Sequence, residues 1–238
     1  MNPFQKCSTE LSMSRHFGSR AFAAIAALTM VLALARASEA RIVYTPANVF
    51  CSMQRSCFGF PIDLNNDATN DFTISQTFVG FHDHNGHLCG YYAAVDVTPT
   101  QSGNGAGNGA HVGWAAALRA GHRIDSGLSF YPSRSIMFSV GSGTCVTNYG
   151  YGYWSYDKAR YLGLEFQIQG QTHYGWARME VGVEFLRGGA WTWSELGGYA
   201  YETIAGKSIK AGQKTGSDDA TEPLGSRTQA GLQGRDFH

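Results

Sequence analysis

The segment Asp63–Asp71 carries the side chains whose types and spacing best suit a chemical role. Oxygen-bearing side chains fall at relative positions 1, 3, 5 and 9 of this segment, namely Asp63, Asn65, Asp67 and Asp71. Together with the Thr69 carbonyl, oxygens at this spacing can wrap a hard cation such as Ca²⁺. The sequence therefore predicts a calcium loop. The alternative is a surface turn that is held by hydrogen bonds from its Asp and Asn side chains to the backbone.

A glycine-tyrosine tract is the second candidate site. Tyr149, Tyr151 and Tyr153 alternate with glycines, and Trp154 follows directly. On an extended backbone the three tyrosines face one side, where they would form a flat platform for the stacking of sugar rings. The alternative is that these rings fill the protein core, because aromatic side chains mostly supply buried area. Exposure beside a groove would favour glycan binding, and burial would remove the support for it.

Histidines and glutamates give weaker patterns. His82, His84 and His87 with Asp83 offer ligands for Zn²⁺ or Cu²⁺, but a solvated polar turn accounts for the same residues. A glycosidase needs two carboxylates across a cleft, and spacing selects no pair among the glutamates on or near strands: Glu165, Glu180, Glu184, Glu195 and Glu202. No nucleophile elbow or zinc-protease helix is present. We therefore expect a protein without enzymatic activity.

The first forty residues predict a secretory signal peptide. A basic start precedes the apolar run Ala21–Ala35, and Ser38-Glu39-Ala40 places small residues at a cleavage site. An uncleaved membrane anchor is the alternative, but the run is shorter than the ~20 residues that cross a bilayer. No later segment is long and apolar enough to span a membrane. We expect export to the periplasm or the extracellular space.

Charge and cysteine content restrict the partners and the redox setting. The chain has 18 basic and 18 acidic residues, and this balance argues against nucleic acid, whose binding depends on clustered Lys and Arg. Four cysteines remain once Cys7 leaves with the signal peptide, and an even number in an exported chain predicts two disulfides. Of the three possible connectivities we favour Cys51–Cys57 with Cys89–Cys145. A zinc site is the alternative, but no close CxxC pair supports it.

Alternation of apolar and polar residues in short segments predicts an all-β fold. Tyr161–Val183 is the most regular of these segments and indicates a hairpin. With Gly170 and Gln171 as its loop, Glu165 would lie opposite Trp176. We expect an antiparallel β-sandwich, jelly-roll-like, over residues 41–213.

Other segments predict loops, a short helix and a tail. Gln101–Ala110 has no side chains able to pack and predicts a mobile loop. Trp114–Ala120 predicts one short helix that ends at Gly121, so we expect few or no helices in total. Residues 214–238 contain almost no large apolar side chains and predict a disordered tail.

Parts of the chain resemble a group of bacterial exported proteins, many of which end in a PEP-CTERM-type sorting tail. The main similar segments are Tyr161–Phe166, Gly170–Arg178 and Gly198–Thr203. The acidic loop is similar to the short calcium loops of FG-GAP (integrin-type) repeats. The chain departs from the pattern at Ala68, where glycine usually permits the sharp turn. It keeps Glu222-Pro223 but lacks the apolar helix and arginine cluster of a sorting signal.

The resemblance implies a secreted or surface β domain and brings no known activity. We expect a non-enzymatic extracellular protein with a matrix, surface or adhesion role, braced by calcium and disulfides. The alternative is a carbohydrate-binding module or weak glycoside hydrolase that uses the tract Tyr149–Trp154. The expected partner is an extracellular glycan or surface component.

Overall fold

The computed structural model describes residues 41–147, 149–154, 158–186 and 189–216. The predicted signal peptide and residues 217–238 of the predicted tail lie outside this range. Within it, the chain is all-β and contains no α-helix, only one 3₁₀ turn at Met53–Arg55.

The described residues form thirteen strands. They are β1 (Ile42–Ser52), β2 (Gly59–Ile62), β3 (Phe72–His82), β4 (Leu88–Pro99), β5 (Gly105–Gly107), β6 (Arg123–Ile124), β7 (Phe130–Tyr131), β8 (Ser135–Gly143), β9 (Tyr149–Gly152), β10 (Arg160–Ile168), β11 (Gln171–Leu186), β12 (Gly189–Glu202) and β13 (Ile209–Lys210).

Two antiparallel sheets pack against each other. The six-stranded sheet has the order β1-β12-β11-β10-β5-β7, and the five-stranded sheet has the order β2-β3-β4-β8-β9. Strand β12 of the first sheet packs against β4 and β8 of the second. This arrangement confirms the predicted antiparallel β-sandwich.

Alternating side chains of both sheets fill the space between them. Phe72 and Ile74 of β3 belong to the same buried cluster as Leu164 and Phe166 of β10, and all four are fully buried. Burial of each such side chain stabilises the fold by about 1.5–3 kcal/mol. On the outer face of the six-stranded sheet, the β6–β13 pair covers a second cluster around Trp176.

Both favoured disulfides are present. Cys51 joins Cys57, and Cys89 joins Cys145 with a sequence separation of 56 residues. The second bridge ties the start of β4 to the chain that follows β8. It therefore fixes the segment that leads into the glycine-tyrosine tract.

The Tyr161–Val183 hairpin forms, but its predicted register is wrong. The loop consists of Gln169 and Gly170, so Glu165 pairs with Tyr174 and not with Trp176. Both loop residues have positive φ angles, 51° and 76°. Two-residue hairpin loops favour this geometry because its twist matches that of the strands.

The predicted mobile loop Gln101–Ala110 contains a buried strand, β5. A Cβ atom at Gly105 would lie 2.9 Å from the Phe130 side chain, and one at Gly107 would lie 3.0 Å from Leu128. The absence of side chains therefore permits this segment to pack closely against its neighbours.

The short helix predicted at Trp114–Ala120 is absent, because this segment bonds to strands instead. The Ala115 N–H donates to the Ile136 carbonyl and the Leu118 N–H to the Tyr161 carbonyl, both at 2.9 Å. A helix of seven residues is too short to compete with such contacts.

Candidate functional site

Strand pairing places the tyrosine tract on the outer face of the five-stranded sheet. Tyr149 pairs with Gly141 and Tyr151 with Ser139 across the β8–β9 ladder. The intervening Val140 belongs to the core between the sheets. Because side chains alternate across a strand, Tyr149 and Tyr151 project away from that core.

Two of the tyrosines line an open cleft of about 260 Å³, which they share with Gly152 and with His111 and Trp114 of the loop before β6. Tyr151 is 60% exposed and Tyr153 is 38% exposed. Trp114 reaches the cleft because it bridges to Ile136 and so lies beside β8. The cleft therefore combines exposed aromatic faces with a concave shape.

Contacts with glycines hold the rings in place. Tyr149 lies over Gly141, where a Cβ atom would come within 2.4 Å of the ring, and it stacks on Tyr151 with ring centroids 5.0 Å apart. Tyr153 lies over Gly109 in the same way, and its hydroxyl accepts a hydrogen bond from the His111 N–H at 3.2 Å. Rings fixed beforehand lose little freedom when a ligand binds.

Trp154, the fourth aromatic residue of the tract, lies in the core instead of on the platform. It is 2% exposed, and its indole N–H donates to the Ala115 carbonyl at 3.1 Å. Conversely, sequence reasoning missed His111 and Trp114. No spacing signal links them to the tract, because only the long-range pairing of Trp114 with Ile136 brings them to the cleft.

The acidic loop is held by hydrogen bonds from its backbone to its side chains. Asp63 accepts from the N–H groups of Asp67 and Ala68 at 3.2 and 2.8 Å, and Asp67 accepts from the Thr69 N–H at 2.8 Å. Ala68 has a φ of 67°, the left-handed conformation that glycine adopts at least cost. The loop thus makes the sharp turn that the pattern requires, although it has alanine at that position.

Asp71 closes the acidic loop from the inside. It is 4% exposed, and its Oδ2 accepts the Leu64 N–H at 2.8 Å. Burial raises the pKa of Asp71 to about 6, and the nearby charges of Asp63 and Asp67 add to the rise. The charges of Asp63 and Asp67 therefore add to the cost of ionising Asp71, a cost that a bound cation would relieve.

Tightly converging metal ligands are absent from the described part of the chain: no three His, Cys, Asp or Glu side chains gather where they would hold an ion. The histidine-rich turn is polar and exposed. Asp83 accepts the N–H groups of Asn85 and His87 at 2.9 Å each. Asp83 therefore stabilises the backbone of this turn through hydrogen bonds.

The glutamates lie apart from the cleft. Glu180 pairs with Glu195 across β11 and β12, and Glu165 lies opposite Tyr174. Burial raises the pKa of Glu165. All of these positions belong to the six-stranded sheet, so none of them lines the aromatic cleft.

Comparison of the chain with protein-family models, with curated proteins and with solved structures found no match. Within the described ranges, no helix has the length and apolar character needed to cross a membrane. Function is therefore inferred from the geometry of the cleft and of the acidic loop.

Proposed function

We propose that the chain is a secreted, non-enzymatic β-sandwich protein that binds an extracellular carbohydrate in the aromatic cleft. The exposure of Tyr151 and Tyr153 beside a concave surface carries this proposal. An aromatic face packs against the apolar face of a sugar ring, while polar groups at the rim orient its hydroxyls. His111 and the Tyr153 hydroxyl supply such polar groups. Export is supported by the two disulfides, which persist in oxidising compartments.

The lining of the cleft favours binding without hydrolysis. Glycosidic bond cleavage requires an acid and a second carboxylate on either side of the bond. Among the described residues, those that line the cleft include no carboxylate. A matrix, surface or adhesion role fits a protein that holds a glycan and leaves it intact.

Replacement of Tyr151 by alanine should weaken carbohydrate binding at least about tenfold, as expected for an aromatic anchor at the centre of a site. A glycan array identifies the ligand, and calorimetric titration with that ligand then measures the affinity of each variant. Phe185→Ala is the matched control, because Phe185 is 65% exposed on β11, outside the cleft. Equal affinity of the Tyr151 variant and the unmodified protein would contradict the proposed site.

The acidic loop is proposed as a calcium brace for this domain. Its donors would all be oxygens, as calcium requires: the side chains of Asp63, Asn65, Asp67 and Asp71 and the carbonyl of Thr69. The carboxylates do not converge in the structure, so calcium binding requires the loop to close around the ion. Burial raises the pKa of Asp71, and the charges of Asp63 and Asp67 add to the rise, so a cation beside Asp71 would lower the cost of its ionised form. Such a cation would stabilise the loop between β2 and β3 and would not contact the carbohydrate.

Calcium should raise the Tm of the protein, and the rise should shrink as pH falls through about 6. The pKa of Asp71 is about 6 in the folded protein, whereas its ordinary value is 3.8. Protons therefore compete with calcium for the Asp71 carboxylate as pH falls through about 6. Without calcium, the raised pKa stabilises the fold fully below 3.8, and this contribution is lost as pH rises through 6. Thermal unfolding with calcium or chelator, at several pH values, measures both effects.

The Asp67→Ala variant should lose the calcium response. Asp125→Ala is the control, because Asp125 lies in an exposed turn beside Gly127 and should leave the response intact. A melting curve that is the same with millimolar calcium and with chelator above about pH 7 would count against the brace.

A further inference from the structure

A polar cluster lies on the same outer face of the five-stranded sheet as the aromatic cleft. Strand register aligns four residues in one row across β3, β4, β8 and β9, namely Thr77, Ala94, Ser139 and Tyr151. Three strand spacings of ~4.8 Å place Thr77 roughly 14 Å from Tyr151. The cluster at the Thr77 end and the aromatic residues at the Tyr151 end therefore lie on the same face of the sheet, with the buried residues Ala94 and Ser139 between them.

Arg134 is the exposed member of the cluster. Its Nη2 donates to Asp96 Oδ2 at 2.7 Å and to Thr77 Oγ1 at 3.1 Å, and the Arg134 side chain is 49% exposed. The hydrogen bonds of the described residues use no other nitrogen of this guanidinium. A guanidinium has five donors in a fixed plane, so Nε and Nη1 can still donate charge-assisted hydrogen bonds to an anion.

Asp96 fixes the orientation of the Arg134 guanidinium. Asp96 is fully buried, and its Oδ2 also accepts from the Thr77 hydroxyl at 3.0 Å. Its Oδ1 has no hydrogen-bond partner within the described part of the chain. An arginine held by a buried carboxylate on one side is oriented before any ligand arrives, which lowers the cost of binding.

The charges of the cluster leave Arg134 cationic. Burial raises the pKa of Asp96, against the opposing effect of Arg134. The hydrogen bond to Asp96 raises the pKa of Arg134. The groups that act on Arg134 are Asp96 and the Tyr92 hydroxyl. The guanidinium therefore keeps its charge, while Asp96, the carboxylate that acts on it among the described residues, holds its own charge less firmly than an exposed aspartate does.

We propose that Arg134 gives the carbohydrate site a preference for acidic saccharides, that is, for sugars that carry a carboxylate. This inference rests on the proposed function. The aromatic cleft holds the ring of one sugar unit, and Arg134 pairs with the carboxylate of another unit further along the chain. The roughly 14 Å between the two ends of the row requires an oligosaccharide.

Oligogalacturonate and its methyl ester test the preference, because they share ring structure and length and differ in charge. The unmodified protein should bind the acid form about tenfold more tightly than the ester, as expected for a charge-assisted hydrogen bond. In the double variant Asp96→Asn/Arg134→Gln this preference should fall to about twofold or less. The double change removes both charges together, so no buried carboxylate is left unpaired. Arg119→Gln, at an exposed arginine in the loop before β6, should keep the full preference.

Three results would overturn parts of this assignment, and they are distinguishable. Equal affinity for acid and ester, with both lost in Tyr151→Ala, would remove the acidic preference and keep the carbohydrate site. A preference that survives in the double variant would assign it to another cation. Failure of the unmodified protein to bind any saccharide on an array would remove the proposed function itself, and the inference with it.

Discussion

Replacement of both Cys89 and Cys145 by alanine should lower the free energy of unfolding by about 4 kcal/mol. The bridge closes a loop with a separation of 56 residues, and its loss frees the unfolded chain from that constraint. In the folded protein the Thr144 and Cys145 N–H groups donate to the Cys89 carbonyl at 2.7 and 3.2 Å. The same short segment leads into Tyr149, so carbohydrate binding in the cleft should weaken as well. Urea unfolding and titration with the array-identified ligand measure the two effects.

The other disulfide provides the control. The Cys51–Cys57 bridge has a separation of only 6 residues, and its removal should cost about 2 kcal/mol. It joins the end of β1, in the six-stranded sheet, to the segment before β2. Neither cysteine lines the cleft, so its loss should leave binding unchanged. Equal losses of stability for the two double variants would contradict the dependence on loop length.

Local patterns were sufficient to predict the fold class and the β10–β11 hairpin. Alternation marked the β10–β11 hairpin, because each strand buries one face and exposes the other. It did not set the register, because the residues around the turn allow more than one two-residue loop. Gln169 has a positive φ, a conformation that residues other than glycine rarely adopt. The loop forms there because its geometry matches the twist of the strands.

Composition misled the prediction at Gln101–Ala110. The prediction assumed that a segment needs side chains in order to pack. In the structure, Gly105 and Gly107 lie where a Cβ atom would touch neighbouring residues, so the glycines are what permits burial. A single sequence cannot separate glycine used for flexibility from glycine used for close approach.

The sequence predicted only some of the residues that line the candidate cleft. The tyrosine spacing pointed to Tyr151 and Tyr153, which line the cleft, because an alternation of two is local. Trp114 and His111 join it through a bridge to β8, and long-range pairing leaves no mark on local spacing. Asp96 was missed for a related reason. A lone aspartate in a strand is disfavoured, and only its pairing with Arg134 explains its burial.

Replacement of Arg134 by alanine should lower the free energy of unfolding by about 3 kcal/mol at neutral pH. Asp96 would be left in the interior without its counter-charge, and the loss of one partner of a fully buried ion pair costs about 3–5 kcal/mol. Because Arg134 is partly exposed, we expect a value at the lower end of this range. Removal of the cation raises the folded pKa of Asp96 further. The difference from the unmodified protein should therefore be complete above that folded pKa and should shrink as pH falls below it, because protonated Asp96 needs no partner.

Arg123→Ala separates this effect from the general loss of an arginine. Arg123 pairs with Asp125 on the surface, and its side chain is 71% exposed, so its removal should cost about 1 kcal/mol or less. The double variant Asp96→Asn/Arg134→Gln should also lose less than Arg134→Ala, because it leaves no charge unpaired. Urea unfolding at several pH values compares the three proteins. Equal, pH-independent losses for the two alanine variants would mean that Arg134 does not compensate a buried charge. In that case the pairing with Asp96 would no longer explain how Arg134 is oriented toward a ligand.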